Sequence, residues 1–517
     1  MKHPSKIIDL HTHLFNARYV PLAGIIAHAM NKNDSALASA AAALLNALTG
    51  SSYDSGALVP VPSDPDEQEA YFLDQYWAIT EYELHTPTEA VEQVAGVGAA
   101  VPFVPGLDGS ARLLPLIAAL SVVDYAAEGW KGELPPQLPV QKSALALMGP
   151  ADFLPIARKI VRIAIKAVTS LMDPKMWGRN ENYLEFFLTM LKSEQALADK
   201  LVSEYGRLQA PLRVAHFMMD MQKGFKQAKS PHYAFHPEQH RHMEQLARDN
   251  NDLVFGFSAF DPHRGNWEEH ALYAIEHGFV GFKFYPAMGY TPSGDGQFQD
   301  RIDAFFDFCV KHHAPIFVHC TPQGFQTREQ LGWNAHPKHW RTVLDNPRWS
   351  TLRLCFGHAG GGESVNSQNS QEVSHGWTAS TPEAWEDEDN FARLVVELCV
   401  SHRNVYCELG YITELFERGD QPAFIHNFKE AAAATGKYWF MDKVAYGSDW
   451  HMPSMVDSVR DYYNFFLALM QQDYFAPYID KFFWQNAVRY APLLGKGWGP
   501  LKDELEERPG PFRPRQA

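Results

Sequence analysis

The segment Ile7-Ile8-Asp9-Leu10-His11-Thr12-His13 joins a short apolar run to two histidines that are one residue apart. The β-branched and apolar residues predict a buried strand, and residues two apart in a strand share one face. His11 and His13 would therefore point the same way from the carboxyl end of this strand. Such a pair suits two ligands of one metal ion, and it equally describes two ordinary polar residues at a strand end.

Seven further apolar runs predict strands, and they alternate with segments of helical periodicity. These strands are predicted at Arg213–Met218, Leu253–Phe257, Val280–Phe284, Pro315–Val318, Arg353–Phe356, Asn404–Cys407 and Val444–Tyr446. The helical segments are predicted at His236–Asp249, Trp267–His277, Phe298–His313, His336–Leu344, Asn390–Ser401, Pro422–Thr435 and Met455–Gln471. With the strand Lys6–His13 they make eight β/α units, the number that closes a barrel. We therefore predict an α/β fold, a (β/α)8 TIM barrel formed by residues 1–16 and 211–495.

A large insertion is predicted after the first strand, over residues 17–210. Within it, residues 35–48 form an alanine-rich helical run, and residues 153–172 and 182–205 show helical periodicity. We interpret the insertion as a mostly helical cap domain. Residues 496–517, which are rich in proline and charge, are predicted to form a C-terminal tail.

The composition narrows the class of protein. A formal net charge of −16 argues against nucleic acid as a partner, since phosphate backbones require concentrated Lys and Arg. No run reaches the roughly 18 apolar residues of a spanning helix, and no signal peptide is evident. The five cysteines include no CxxC pair, which favours a reducing compartment. We predict a cytoplasmic enzyme that acts on a small molecule and has no membrane span; the sequence leaves a homo-oligomer open.

Polar side chains end three other predicted strands as the two histidines end the first. These are His319 in the fifth, His358 in the sixth and Asp449 in the eighth, each after an apolar run. Active sites of such barrels lie at the carboxyl ends of the strands. Imidazoles with one carboxylate are the ligands expected for Zn²⁺ or another divalent ion such as Mn²⁺. The recurrence favours a metal site over unrelated core histidines.

Lys283 lies within the fourth predicted strand. A lysine inside a barrel is costly unless it is paired or chemically altered. It could become a carbamate that bridges two metal ions, or it could remain cationic and bind a substrate carboxylate. The remaining alternative is a side chain that faces outward into solvent.

These motifs in combination resemble the amidohydrolase superfamily, most closely its amidohydrolase-2 group of TIM-barrel metal-dependent hydrolases and decarboxylases. The motifs are His11-x-His13, Lys283, His319, Gly357-His358-Ala-Gly-Gly, Gly447-Ser-Asp449 and the C-terminal Asn486-Ala-Val-Arg489. The resemblance covers the predicted barrel and leaves the insertion uncovered.

The resemblance implies a role for each matching residue. His11, His13, His319 and Asp449 would hold a catalytic metal. His358 would act as acid or base, or orient the substrate. In binuclear relatives the lysine, here Lys283, is carboxylated, and the fifth- and sixth-strand histidines hold the second ion. We expect one ion rather than two.

The predicted reaction is hydrolysis, in which a metal-activated water attacks the carbonyl carbon of an amide or lactone in a small, cyclic or carboxylate-bearing substrate. Asp449 would be the general base, and His358 would help to polarise the carbonyl. Candidates for substrate binding are Lys283, Arg264, Tyr285 and Trp450.

Two other functions stay open. One is a metal-dependent, non-oxidative decarboxylase of an aromatic or unsaturated carboxylic acid, and the other is a non-catalytic metal-binding scaffold. Asp220 and Glu408, which end the second and seventh strands, could line the mouth of the site or have a supporting or structural role.

Overall fold

The computed structural model describes residues 2–29, 189–190, 192–222, 231–325, 330–416, 419–455 and 458–501, together with the single residues 42, 46, 49 and 505. Most of the predicted cap therefore lies outside the described residues. This includes the helix predicted at 153–172, nearly all of the run at 35–48, and most of the predicted C-terminal tail.

Within the described residues, eight strands form one parallel sheet in chain order. They are β1 (Ile7–Thr12), β2 (Leu212–Phe217), β3 (Val254–Phe260), β4 (Phe282–Phe284), β5 (Ile316–His319), β6 (Leu354–Gly357), β7 (Val405–Glu408) and β8 (Val444–Ala445). Each corresponds to a predicted strand. A two-stranded antiparallel ribbon, Ser364–Val365 with Val373–Ser374, lies between β6 and β7 in the chain.

The sheet closes on itself between its first and last strands. The Leu10 amide donates to the Tyr446 carbonyl at 3.1 Å, and Thr12 forms a parallel bridge with Trp450. Every strand thus has two neighbours, and no edge of the sheet is left open. This confirms the prediction of a (β/α)8 barrel.

The helices follow the predicted alternation closely. They are α1 (Leu22–Ala29), α2 (Glu194–Tyr205), α3 (His240–Asp249), α4 (Trp267–Glu276), α5 (Gln299–His312), α6 (Lys338–Leu344), α7 (Pro382–Glu386), α8 (Phe391–Ser401), α9 (Gln421–Ala433), α10 (Val459–Met470) and α11 (Asn486–Tyr490). The predicted start of α10 at Met455 is too early, because Ser458 caps the helix by accepting the Asp461 amide at 3.1 Å.

Apolar side chains form a buried core inside the barrel. Leu10, Phe217 and Phe317 belong to one buried cluster, which Tyr490 of α11 and the following Leu494 join from below. Full burial of a side chain of this size contributes about 1.5–3 kcal/mol. The last helix, α11, therefore packs against the apolar core of the barrel, and the candidate metal ligands lie at the carboxyl ends of the strands.

The chain divides into two compact units. One contains the barrel and comprises Met1–Leu14, Asp199–Gly224 and Phe235–Ala517; the other comprises Phe15–Ala198 and Phe225–Ala234. The predicted domain boundaries, with a cap at 17–210 and a tail at 496–517, stay predictions. Among the described residues, no helix combines the length and the apolar character that crossing a membrane requires.

Candidate metal centre

Three potential metal ligands converge at the carboxyl ends of β1 and β8. Oδ1 of Asp449 lies 3.2 Å from Nε2 of His11 and 3.3 Å from Nε2 of His13, and all three residues are buried. In the part of the chain that the structure describes, this oxygen has no hydrogen-bond partner. A buried acceptor without a donor is costly, and a cation in this position would satisfy it.

A shift in strand register aims His11 into the barrel. Leu10 already packs in the barrel core, so strict alternation would turn His11 away from it. The pairing of β1 with β2 changes register between Asp9 and Thr12, and the His11 ring lies 4.7 Å from that of Phe317 in the core. Such irregularities often re-aim a side chain next to an active site.

The other ring nitrogens of these two histidines are already engaged. Nδ1 of His11 donates to Oε1 of Glu408 at 2.8 Å, and Nδ1 of His13 donates to the Phe217 carbonyl at 3.1 Å. Burial lowers the pKa of His13 to about 3 and that of His11 well below its usual range. Both rings are therefore neutral, and each Nε2 carries the lone pair with which an imidazole binds a metal ion.

His319 and His358 form a second pair of imidazoles. Nδ1 of His358 donates to the Gly410 carbonyl at 2.9 Å, and Nε2 of His319 donates to the Gln323 carbonyl at 3.1 Å. The two remaining nitrogens, Nε2 of His358 and Nδ1 of His319, lie 3.1 Å apart. In neutral rings both carry lone pairs, which repel unless a proton or a metal ion lies between them. Tyr285 stacks on His319, with ring centroids 4.0 Å apart.

Lys283 faces these histidines and not the solvent. Its side chain is buried, and Nζ lies 3.0 Å from Nε2 of His11 and 4.5 Å from the centre of the Phe317 ring. Burial lowers the pKa of Lys283 to about 8, although Asp449 and Glu408 oppose the shift. The alternative of an outward-facing lysine does not hold.

The donor set fits a divalent metal ion. His11, His13 and Asp449 offer two neutral imidazoles and one carboxylate, and His319 with His358 offers two more nitrogens close by. The structure thus brings together all the residues that the sequence named for metal binding. Their ligand roles, and one ion rather than two, stay predictions.

Asp9 stabilises the turn that carries Asp449, and the sequence did not predict this role. Its Oδ1 accepts the Ser448 amide at 2.8 Å, and its Oδ2 accepts the Ser448 hydroxyl at 2.5 Å and the Tyr205 hydroxyl at 2.7 Å. Asp449 follows Ser448 with a left-handed φ of 60°. Asp9 therefore fixes the turn that presents Asp449 to the histidines. An aspartate within a buried apolar strand was the available signal.

The candidate substrate-binding residues differ in their surroundings. Lys283 and Tyr285 belong to the metal centre, whereas Arg264 pairs with Asp220 and donates to Gln222. Trp450 is buried, and its indole N–H donates to Glu204 at 2.6 Å. For Arg264 to bind a substrate carboxylate it would have to share its guanidinium with Asp220.

Comparison with known proteins gives one family. A family model described as "Amidohydrolase" matches residues 208–490, and no curated protein matches. The matched range does not include β1 and its two histidines, which the barrel brings beside Asp449.

Solved structures of three kinds resemble this chain. An amidohydrolase from Burkholderia multivorans with bound zinc is 12% identical over 54% of this chain and 82% of its own, with a TM-score of 0.35. A probable 2-pyrone-4,6-dicarboxylic acid hydrolase from Acinetobacter baumannii is 12% identical over 58% and 88%, with a TM-score of 0.37. A 5-carboxyvanillate decarboxylase from Novosphingobium aromaticivorans with manganese is 16% identical over 60% and 84%, with a TM-score of 0.38.

Proposed function

This chain belongs to the amidohydrolase-2 group, a family of metal-dependent enzymes, and we propose that it is a hydrolase of amides or lactones. The observation that carries the proposal is the convergence, at the carboxyl end of the barrel, of two neutral imidazoles and one carboxylate oxygen that has no hydrogen-bond donor among the described residues. The substrate is a small molecule, cyclic or carboxylate-bearing.

We assign His11, His13, Asp449 and His319 as ligands of one Zn²⁺ or Mn²⁺ ion. In a binuclear form, His358 and a carboxylated Lys283 would join them. A divalent ion held there supplies a Lewis acid that polarises a carbonyl and lowers the pKa of water toward ~7. The Nδ1–H bonds of His11 and His13 support this assignment, because they keep each Nε2 lone pair directed at Asp449.

The chain's own groups have distinct tasks in the hydrolysis. Asp449 accepts the proton of the attacking water and returns it to the leaving group. His358, whose Nδ1 donates to the Gly410 carbonyl, would orient the scissile carbonyl by donating from Nε2 when its ring is protonated. Lys283, which lies beside His11, is the candidate cation for a substrate carboxylate, and Tyr285 and Trp450 are the candidates for stacking on a ring. Arg264 is a more distant candidate because Asp220 holds it.

The test combines metal analysis with product analysis. Purified protein should contain a stoichiometric divalent ion and should cleave members of a lactone and amide panel with incorporation of ¹⁸O from labelled water. His11→Ala and Asp449→Asn should remove both properties. His277→Ala is the matched control, since this histidine is partly exposed and pairs with Glu244 rather than with the metal centre.

Two outcomes would overturn the proposal. Release of CO₂ from an aromatic acid without incorporation of ¹⁸O would indicate the decarboxylase alternative. Absence of a stoichiometric metal, with His11→Ala changing only stability, would indicate a non-catalytic scaffold.

A further inference from the structure

One buried carboxylate contacts two residues of the metal centre at once. Glu408 ends β7 and is fully buried. Its Oε1 accepts the Nδ1–H of His11 and the backbone N–H of His358, each at 2.8 Å. A single oxygen atom therefore connects β7 with the ends of β1 and β6.

The first contact decides how His11 can bind a metal ion. A carboxyl oxygen that accepts from Nδ1 holds the proton there and leaves the lone pair on Nε2, the atom 3.2 Å from Asp449. It also fixes the rotation of the ring. Loss of such a partner behind a ligating histidine typically weakens metal binding 10–100-fold.

The second contact supports the backbone of His358. This residue has a left-handed φ of 60°, and Ala359 after it has a φ of 45°. Non-glycine residues rarely adopt this conformation without compensating interactions. The bond from the His358 amide to Glu408, with the bond from Nδ1 to Gly410, gives the strained turn two anchors on the segment that ends β7.

The space around the second oxygen of Glu408 requires glycine at two positions. A Cβ atom at Gly447 would lie 2.1 Å from Oε2, and one at Gly410 would lie 2.7 Å from it. Oε2 itself has no hydrogen-bond partner among the residues described. Burial raises the pKa of this carboxyl well above its usual range, but a proton on Oε2 would leave Oε1 free to accept both bonds. Both hydrogen bonds to Oε1 can therefore form in either charge state.

We propose that Glu408 is a positioning residue of the metal centre, which sets the Nδ1–H tautomer of His11 and the backbone of His358 through one shared oxygen. The inference rests on the proposed function for its role in metal binding. Glu408 reaches the reacting atoms only through these two histidines.

Three variants separate the parts of this role. Glu408→Ala removes the acceptor. Glu408→Gln keeps an oxygen that can accept both bonds and should restore most of what alanine loses. Gly447→Ala keeps the carboxylate but displaces it. Glu414→Gln is the matched control, because this half-buried carboxyl in the segment after β7 accepts from Thr413 and has no bond to the histidines.

Three readouts do not depend on activity. The ¹⁵N signals of His11 in metal-free, histidine-labelled protein report which ring nitrogen carries the proton. Zn²⁺ affinity, measured by competition with a chromophoric chelator, and the d–d absorption of Co²⁺-loaded protein report the ligand geometry. We expect Glu408→Ala and Gly447→Ala to lose the fixed Nδ1–H tautomer, to bind Zn²⁺ 10–100-fold more weakly and to change the Co²⁺ spectrum. Glu414→Gln should match the wild type.

The outcomes distinguish this proposal from the proposed function. A folded Glu408→Ala protein with the wild-type tautomer and Zn²⁺ affinity overturns the positioning role, whatever reaction the enzyme catalyses. If the wild type binds no metal ion, the proposed function fails, and the tautomer measurement alone still decides the role of Glu408. If Glu408→Ala does not fold, Gly447→Ala and Glu408→Gln provide the same comparison.

Discussion

Replacement of Asp9 by alanine should weaken the closure of the barrel and the metal centre together. Its carboxylate accepts the Ser448 amide at 2.8 Å and the His11 amide at 3.2 Å, both buried. In the variant, the Ser448 hydroxyl still has the His11 carbonyl as a hydrogen-bond acceptor, at 3.5 Å. The Tyr205 hydroxyl still has the Tyr446 hydroxyl as a partner, at 2.9 Å. The two backbone amides lose the acceptor that Asp9 supplies.

The magnitude follows from these two amides. A buried donor left without an acceptor costs about 1–3 kcal/mol, so Asp9→Ala should lower the free energy of unfolding by about 2–6 kcal/mol. Asp9→Asn should cost less, because its oxygen can still accept both amides and its NH₂ group can donate to the two hydroxyls. Zn²⁺ affinity should also fall, since Ser448 precedes Asp449.

Urea denaturation followed by circular dichroism, with Zn²⁺ competition in parallel, measures both effects. Asp252→Asn is the control, since asparagine tolerates the left-handed φ of 66° at this position. That aspartate pairs with Arg213 at 3.0 Å, but its side chain is 72% exposed, so its loss should cost less than about 1 kcal/mol. If Asp9→Ala unfolds within 0.5 kcal/mol of the wild type, a margin of the order seen for ordinary surface substitutions, the reasoning is refuted.

Three further predictions concern acid stability, core packing and metal loading. Burial lowers the pKa of His240 to about 3, and its ring nitrogens contact the Phe235 carbonyl and the Ser258 hydroxyl. Between about pH 6.5 and 3 the unfolded chain therefore binds a proton at this residue that the folded chain does not bind. The free energy of unfolding should fall as the pH falls through that range. His240→Gln should flatten the pH profile of the urea midpoint, and a profile parallel to the wild type would contradict the assignment. Phe317→Ala should lower the free energy of unfolding by about 3–5 kcal/mol and weaken Zn²⁺ binding, because it removes a buried ring that packs against His11. An unchanged Tm in calorimetry would contradict this prediction. Saturation with Zn²⁺ at 100 times the Kd should stabilise the protein by about 2.7 kcal/mol, seen as a higher Tm, and a chelator should reverse the shift; no shift would argue against the metal centre.

The barrel could be predicted because parallel strands leave a strong local signal. Each strand of a closed parallel sheet is buried on both faces, and its continuous apolar run stands out from the neighbouring amphipathic helices. Polar residues at the carboxyl ends of barrel strands lie close together. This rule alone predicted that His11, His13 and Asp449 meet, although no contact between them was known.

The support of the site could not be predicted in the same way. The bond from Glu408 to His11 joins residues far apart in the chain, and nothing local to either residue records it. The same holds for Asp9 and Ser448, and for Arg264, whose pairing with Asp220 depends on how two loops meet. The register shift in β1 is also invisible to strand periodicity.

The position of β1 has a consequence for biogenesis. Ile7 pairs with Leu212, and the amide of Leu10 meets the carbonyl of Tyr446, so both flanks of this strand depend on chain that a ribosome makes much later. The entropic cost of joining such distant segments grows with the logarithm of their separation. Of the three converging candidate ligands, His11 lies in this strand, His13 follows it directly, and Asp449 follows β8. Nascent or truncated chains without the last strand therefore lack the assembled candidate metal centre. The ability to bind the ion would mark a chain that has been synthesised through Asp449 and whose barrel has closed.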